Sequence, residues 1–223
     1  MQTPIIIVNF KTYDRAYGLK AVELAQMCEK VAKETGSHIA VAVGAPDIYH
    51  VAESVSIPVL AQHVDDIRFG SHTGYILIED IKENGADGTL INHSEHRLKL
   101  DVIESTIKRC KENNMVTIVC ATDAVQAKAV AVFNPDFIAV EPPELIGGDV
   151  SVSKHDPEII SDTVANVKFV DPRIPVLVGA GVKNHEDVKI AMELGSKGIL
   201  IASGITKAKF PEKALRDLVE GMQ

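Results

Sequence analysis

Eight short runs rich in β-branched residues recur along the chain, each followed by a stretch with helical spacing. This alternation limits the fold more than any other feature. The runs are Ile5–Asn9, Ile39–Val43, Pro58–Gln62, Gly88–Asn92, Val116–Cys120, Phe137–Glu141, Pro175–Val178 and Gly198–Ala202. They are mostly apolar, as parallel strands covered on both faces are. Between them the spacing predicts a helix over Leu19–Glu34, with Gly36 placed to stop it. A second, Leu98–Asn113, carries Leu100, Ile103 and Ile107 on one face. Asp123 is placed to cap Ala124–Val132. Asp156 and Pro157 read as N-cap and first helical residue of a helix running towards Val167. Asn184 and Gly195 bracket His185–Leu194, and Pro211 opens a last helix to Val219. Shorter helices are expected at Ile48–Ser54 and Leu77–Gly85.

Strands alternating with helices imply a parallel sheet. Eight such units suit an α/β fold of one kind, a closed (β/α)8 TIM barrel of eight parallel strands, spanning residues 1–223 as a single domain. The chain has 223 residues, fewer than the roughly 250 typical of that fold, so loops and some helices must be shortened. The alternative, a doubly wound open sheet, usually carries a glycine-rich turn after its first strand. Here that strand ends in Asn9-Phe10-Lys11-Thr12, with no glycine until Gly18.

Charge narrows the function. Lys and Arg number 23 against 31 Asp and Glu, a net charge of −8. That sign disfavours nucleic acid and anionic lipid as partners. No apolar run approaches the roughly 20 residues of a membrane span. Met1-Gln2-Thr3-Pro4 lacks the basic segment and cleavage site of a secretory signal. Cys28, Cys110 and Cys120 are odd in number and form no CxxC pair, so no disulfide framework is expected and a reducing cytoplasm is the simplest setting.

In a barrel the C-terminal strand ends carry the chemistry. The first run ends in Asn9-Phe10-Lys11. If Ile7 points inward, Asn9 and Lys11 reach the mouth together, an amide beside an ammonium suited to an anionic, oxygen-rich ligand; a lysine after a strand is also common on plain surfaces. The fourth ends in Asn92-His93-Ser94-Glu95. With residues 89, 91 and 93 on one face, His93 points inward as an acid, base or hydrogen-bond donor, or the segment simply caps a helix. His93 and His96 lack the partners of a zinc motif, and no metal is expected. The sixth run ends in Glu141. Residues 137, 139 and 141 share a face, and a carboxylate ending an apolar strand is costly to desolvate unless it is used, which makes Glu141 a general-base candidate. Pro142-Pro143 stiffens one side of the following loop and Gly147-Gly148 frees the other, as in a lid. The seventh and eighth runs end in Gly179-Ala180-Gly181 and Ala202-Ser203-Gly204, small residues that let backbone N–H groups approach a phosphate. Singly, either is an ordinary turn; together they suggest an anion site that local amide dipoles and Lys11 sustain in an acidic protein.

These residues, in this order, resemble the triosephosphate isomerase family, in its shortened archaeal-type form, over the whole chain. Asn9-Phe10-Lys11 is similar to the family's Asn-x-Lys, and His93-Ser94-Glu95 with Arg97 to its His-Ser-Glu-x-Arg segment. Glu141-Pro142 with Gly147 is similar to its base and lid. Gly70-Ser71-His72-Thr73-Gly74 is similar to a loop that in the family packs into a neighbouring subunit. The resemblance implies that Glu141 abstracts a carbon-bound proton and that neutral His93 polarises the substrate carbonyl. Lys11 stabilises negative charge with Asn9 nearby, and Glu95 stands behind them. Backbone groups of Ile146 or Gly147, Gly181, Ala202 and Ser203 hold the phosphate. It also implies a homotetramer with the loop around Thr73 at a subunit contact, and no cofactor. The chain departs from the family at Pro143-Glu144, where many members have Val-Trp. It departs again at Ala180-Gly181 and Ala202-Ser203, where others carry Gly-Ser and Gly-Gly.

Two other readings compete. A synthase or epimerase acting on a different sugar phosphate shares the last two loops but need not bring Lys11, His93 and Glu141 together. A barrel kept as a binding or scaffold protein predicts no proton exchange at carbon.

Overall fold

The computed structural model describes residues 1–142 and 157–222. Its eight strands are β1 (Ile5–Asn9), β2 (His38–Val43), β3 (Val59–Ala61), β4 (Gly88–Ile91), β5 (Val116–Ala121), β6 (Phe137–Val140), β7 (Val176–Val178) and β8 (Gly198–Ile201). They pair in chain order, all parallel, and β8 returns to β1 with Ile5 opposite Gly198 and Val8 opposite Ile201. The sheet is therefore a closed barrel, as the alternation predicts, and has no free edge.

The helices described are α1 (Leu19–Thr35), α2 (Ile48–Ala52), α3 (Ile78–Glu83), α4 (Leu100–Glu112), α5 (Ala124–Ala131), α6 (Glu158–Val170), α7 (His185–Glu193), α8 (Ser203–Thr206) and α9 (Pro211–Glu220). Gly36 ends α1 in the left-handed region, φ 70°, where a side chain would be strained. Asp123 caps α5 by accepting from Val125 N and Gln126 N, and Asn184 caps α7 by accepting from Asp187 N. α6 starts one residue later than the Pro-first pattern predicts: Pro157 takes the flanking position and Glu158 is the first helical residue. Asp156 lies outside the described residues. The four-residue α8 went unanticipated, because a single turn has no periodicity to read.

Strand alternation divides the core in two. Ile5, Ile7, Ala42, Leu60, Leu90, Ile118, Ala139, Leu177 and Leu200 fill the barrel interior. Their neighbours Ile6, Val8, Val41, Val59, Val178 and Ile199 pack outward under the helices. Each Ile, Leu or Val among them, fully removed from water, stabilises the fold by about 1.5–3 kcal/mol. Ile7 does point inward, so the face carrying Asn9 opens at the mouth. On β4 the expected face is wrong: Leu90 is inside, and Ile91 packs outward with Ile103 and Ile107 of α4.

Candidate active site

His93 reaches the mouth despite that reversed face because the backbone turns at Asn92, φ 60°. Asparagine tolerates this left-handed geometry better than most residues. Its side chain secures the turn: Nδ2 donates to Cys120 O at 2.9 Å and Oδ1 accepts from Leu98 N at 2.9 Å, while Arg97 donates to its carbonyl at 3.0 Å. Lys11 is left-handed too, φ 48°. Its N–H is held by Asn9 Oδ1 at 3.0 Å.

The four polar candidates from three strand ends converge. Nε2 of His93 lies 3.1 Å from Oε1 of Glu141, with both side chains buried. The backbone N–H of Glu95 donates to Nδ1 of the same ring at 3.1 Å. Nδ1 therefore carries a lone pair, the ring proton sits on Nε2, and the imidazole is neutral with its N–H facing the cavity. The Glu95 carboxylate is 3.6 Å from Nδ1, too far for a hydrogen bond, and instead pairs with Lys11 Nζ at 2.9 Å. Glu141 continues the inward face of β6, and its N–H is bonded to Ala121 O at 2.8 Å. Its second oxygen, Oε2, is buried with no hydrogen-bond partner among the described residues. An unpartnered carboxylate oxygen in such a place is costly and is available to accept a proton.

Asn9, Lys11, His93 and Glu141 line a cavity of about 70 Å³ together with Gly179–Val182 and Ala202–Gly204, whose strands β7 and β8 lie between β6 and β1 in the barrel. Gly181 is left-handed, φ 70°. Ser203 and Gly204 open α8, and the first N–H groups of a helix have no intrahelical acceptor. Gly181, Ala202 and Ser203 thus line the same cavity as the amine, imidazole and carboxylate. Ile146 and Gly147, and most of the expected lid, lie outside the described residues.

A groove of about 250 Å³ continues from the cavity past Lys11 and Glu95 to Gln62, His63 and His96. The rings of His63 and His96 stack with centroids 4.0 Å apart. Burial holds the His63 imidazole below its ordinary range; the hydrogen bond to Asp65 opposes this and the charge of His96 adds to it. Sequence reasoning missed Asn92, Gln62 and the histidine pair. Asparagine at a strand end was the one visible signal. Cys120 lies in the barrel interior next to this site, and burial, with the Glu141 carboxylate adding, pushes its thiol well up, so it remains protonated. Thr73 and the loop around it are exposed and do not reach the cavity of their own chain.

The family model described as triosephosphate isomerase matches residues 4–220. The triosephosphate isomerase of Methanothermus fervidus is 50% identical over 222 residues, covering all of both chains. That of Methanocaldococcus jannaschii is 49% identical over 216 residues, covering 97% of this chain and 99% of its own. The crystal structure of triosephosphate isomerase from Bartonella henselae superposes with a TM-score of 0.76 at 17% identity, covering 98% of this chain and 99% of that one, which shows the shared barrel. With the family model spanning nearly its whole length and half its residues identical to full-length relatives, this chain belongs to the triosephosphate isomerase family.

Proposed function

We propose that the chain interconverts D-glyceraldehyde 3-phosphate and dihydroxyacetone phosphate by proton transfer through an enediolate, a step of glycolysis and gluconeogenesis. The observation that carries this reading is the 3.1 Å contact of a buried carboxylate with a neutral imidazole N–H, beside an ammonium and in one cavity with two small-residue loops. Moving a proton between adjacent carbons requires one base, one electrophile and an anion grip, and these groups supply all three.

Substrate enters between His93 and Glu141, parting the 3.1 Å contact between them. Glu141 removes the proton from the carbon next to the carbonyl. The electron pair moves to the carbonyl oxygen, which receives a hydrogen bond from His93 Nε2. Lys11 offsets the negative charge, with Asn9 fixing its backbone. Glu141 then returns the proton to the neighbouring carbon, while His93 relays protons between the two oxygens. Backbone N–H groups at Gly181, Ala202 and Ser203, with Ile146 or Gly147, hold the phosphate. Sequestering the enediolate from water suppresses loss of phosphate from it.

A coupled isomerase assay with glyceraldehyde 3-phosphate, run with and without 2-phosphoglycolate, tests the reading. Turnover that the mimic inhibits, together with deuterium wash-in at the exchanging carbon, is expected. Turnover of another sugar phosphate alone, or no exchange at carbon, would refute it.

We further propose a homotetramer working in the cytoplasm. Two separate exposed apolar sets support two kinds of contact. Tyr17, Leu19, Phe69 and Tyr75 surround the mouth-side loops, the second pair flanking Thr73; Leu100, Val125, Val132 and Phe169 lie along α4, α5 and α6. Light scattering should give four times the chain mass. For location, no helix among the described residues is long and apolar enough to cross a membrane, and the three cysteines are free and buried.

A further inference from the structure

Gln62 stands just beyond β3, at the groove beside Lys11. Its backbone N–H donates to Val43 O at 3.1 Å, which fixes where the side chain begins. The side-chain amide donates from the same nitrogen to two carbonyls, Lys11 O at 3.1 Å and Ala42 O at 3.3 Å. Both partners are carbonyl oxygens, so the NH2 group must be the end that faces them.

The location explains why such a donor is needed. Ladder pairing of β1 with β2 stops at Asn9 opposite Ala42. Ala42 O already accepts from Phe10 N at 2.9 Å. Lys11 comes next, past the end of the ladder, in a left-handed conformation with φ 48°. For a residue with a long side chain that conformation is strained and persists only where the surroundings impose it. Asn9 Oδ1 holds the N–H of Lys11, and Gln62 holds its carbonyl. The two amides thus clamp Lys11 on both sides, while Glu95 fixes its Nζ at 2.9 Å.

We propose that Gln62 is a positioning residue for the reaction, acting through Lys11 by holding its main chain in the conformation that presents the ammonium to the substrate anion. The proposal rests on the reading of Lys11 given above. Gln62→Met keeps the volume and removes both donors. Gln62→Glu, when ionised, sets a carboxylate against two carbonyl oxygens; protonated, it regains one donor.

The test is a double-mutant cycle of Gln62→Met and Lys11→Met on the full chain, read by kcat/KM and by calorimetric affinity for 2-phosphoglycolate, which stays measurable where turnover does not. Gln62→Met should lower both by about tenfold, as loss of two hydrogen bonds implies. It should do nothing further once Lys11 is replaced, because coupled residues are not additive. Penalties that multiply in the double variant, or a Gln62→Met protein with wild-type values beside a crippled Lys11→Met, would overturn the role of Gln62 alone. Undiminished activity and affinity in Lys11→Met would overturn the reading of Lys11 and this proposal with it. Should Gln62→Met fail to fold, Gln62→Glu gives a comparison within one protein. Its activity relative to wild type should climb as pH falls and the carboxyl takes up a proton, and a flat ratio would overturn the proposal.

Discussion

Glu141 and His93 touch across the mouth of the barrel, Oε1 to Nε2 at 3.1 Å, and the remaining carboxylate oxygen is buried without a partner among the described residues. The reach of the glutamate side chain is therefore a kinetic quantity. Glu141→Asp withdraws the carboxylate by one methylene, more than 1 Å, and a misplacement of that size costs about a hundredfold in rate. We expect kcat to fall by about 10²–10³-fold with affinity for 2-phosphoglycolate changed far less. Calorimetry and the coupled assay on the same preparation check this, and undiminished kcat would contradict the role given to Glu141.

His93→Gln keeps a neutral donor but shortens and redirects it. The N–H of Glu95, now donating to Nδ1, loses its acceptor. Because the ring is neutral in the resting site, no charge is lost and the fold should persist. We expect kcat to fall by about 10²-fold, with an unchanged circular dichroism spectrum. Nitrogen NMR of the wild type should show an unprotonated Nδ1 and a protonated Nε2 at neutral pH; a doubly protonated ring would contradict the assignment.

What could be read beforehand depended on whether the information was local. The inward face of β1 was legible because pleating makes Ile7 and Asn9 share a side, and Phe137, Ala139 and Glu141 follow the same rule on β6. His93 was correctly placed at the mouth for an incorrect reason. Simple alternation puts it on the face of Ile91, which packs outward; the left-handed turn at Asn92 reverses the face. That turn depends on a bond to Cys120 O, 28 residues away in sequence. The bond from Gln62 to Lys11 spans 51 residues. Pairwise contacts of such separation leave no trace in periodicity, so positioning groups were missed where their targets were found.

Gly179 shows how little room surrounds the base. A Cβ there would lie 2.5 Å from Cγ of Glu141 and 3.2 Å from Val140 O. The backbone is pinned, since Gly179 N donates to Val140 O at 2.8 Å, so the glutamate side chain must yield. Gly179→Ala should therefore move the carboxylate away from His93 and lower kcat by about tenfold or more, at a stability cost of about 1–3 kcal/mol for overpacking. Kinetics together with urea unfolding would separate the two effects. An alanine variant as active as the wild type would show that the carboxylate has more freedom than the packing allows.

The segment that leads to Thr73 is anchored from beneath by an ion pair, and this gives the protein a predictable acid sensitivity. Arg109 of α4, its side chain 4% exposed, donates to Glu79 of α3 at 2.7 Å and 2.9 Å and also to Ile67 O. Burial raises the Glu79 carboxyl, but backbone and Arg109 hydrogen bonds outweigh it and hold the group below its usual value. A carboxylate lowered in this way stabilises the fold above its unfolded value, about 4.3. That contribution is lost as pH falls through the lower folded value. Glu79→Gln removes the charge at every pH and leaves Arg109 buried and unpaired. At neutral pH we expect it to cost about 2 kcal/mol, less than for a fully enclosed pair because Glu79 is a quarter exposed. The gap between wild type and variant in urea should be constant from pH 8 to about 5 and narrow below about 4 as the wild-type carboxylate takes up its proton. A gap that widened with acid would mean that the pair does not hold Glu79 ionised.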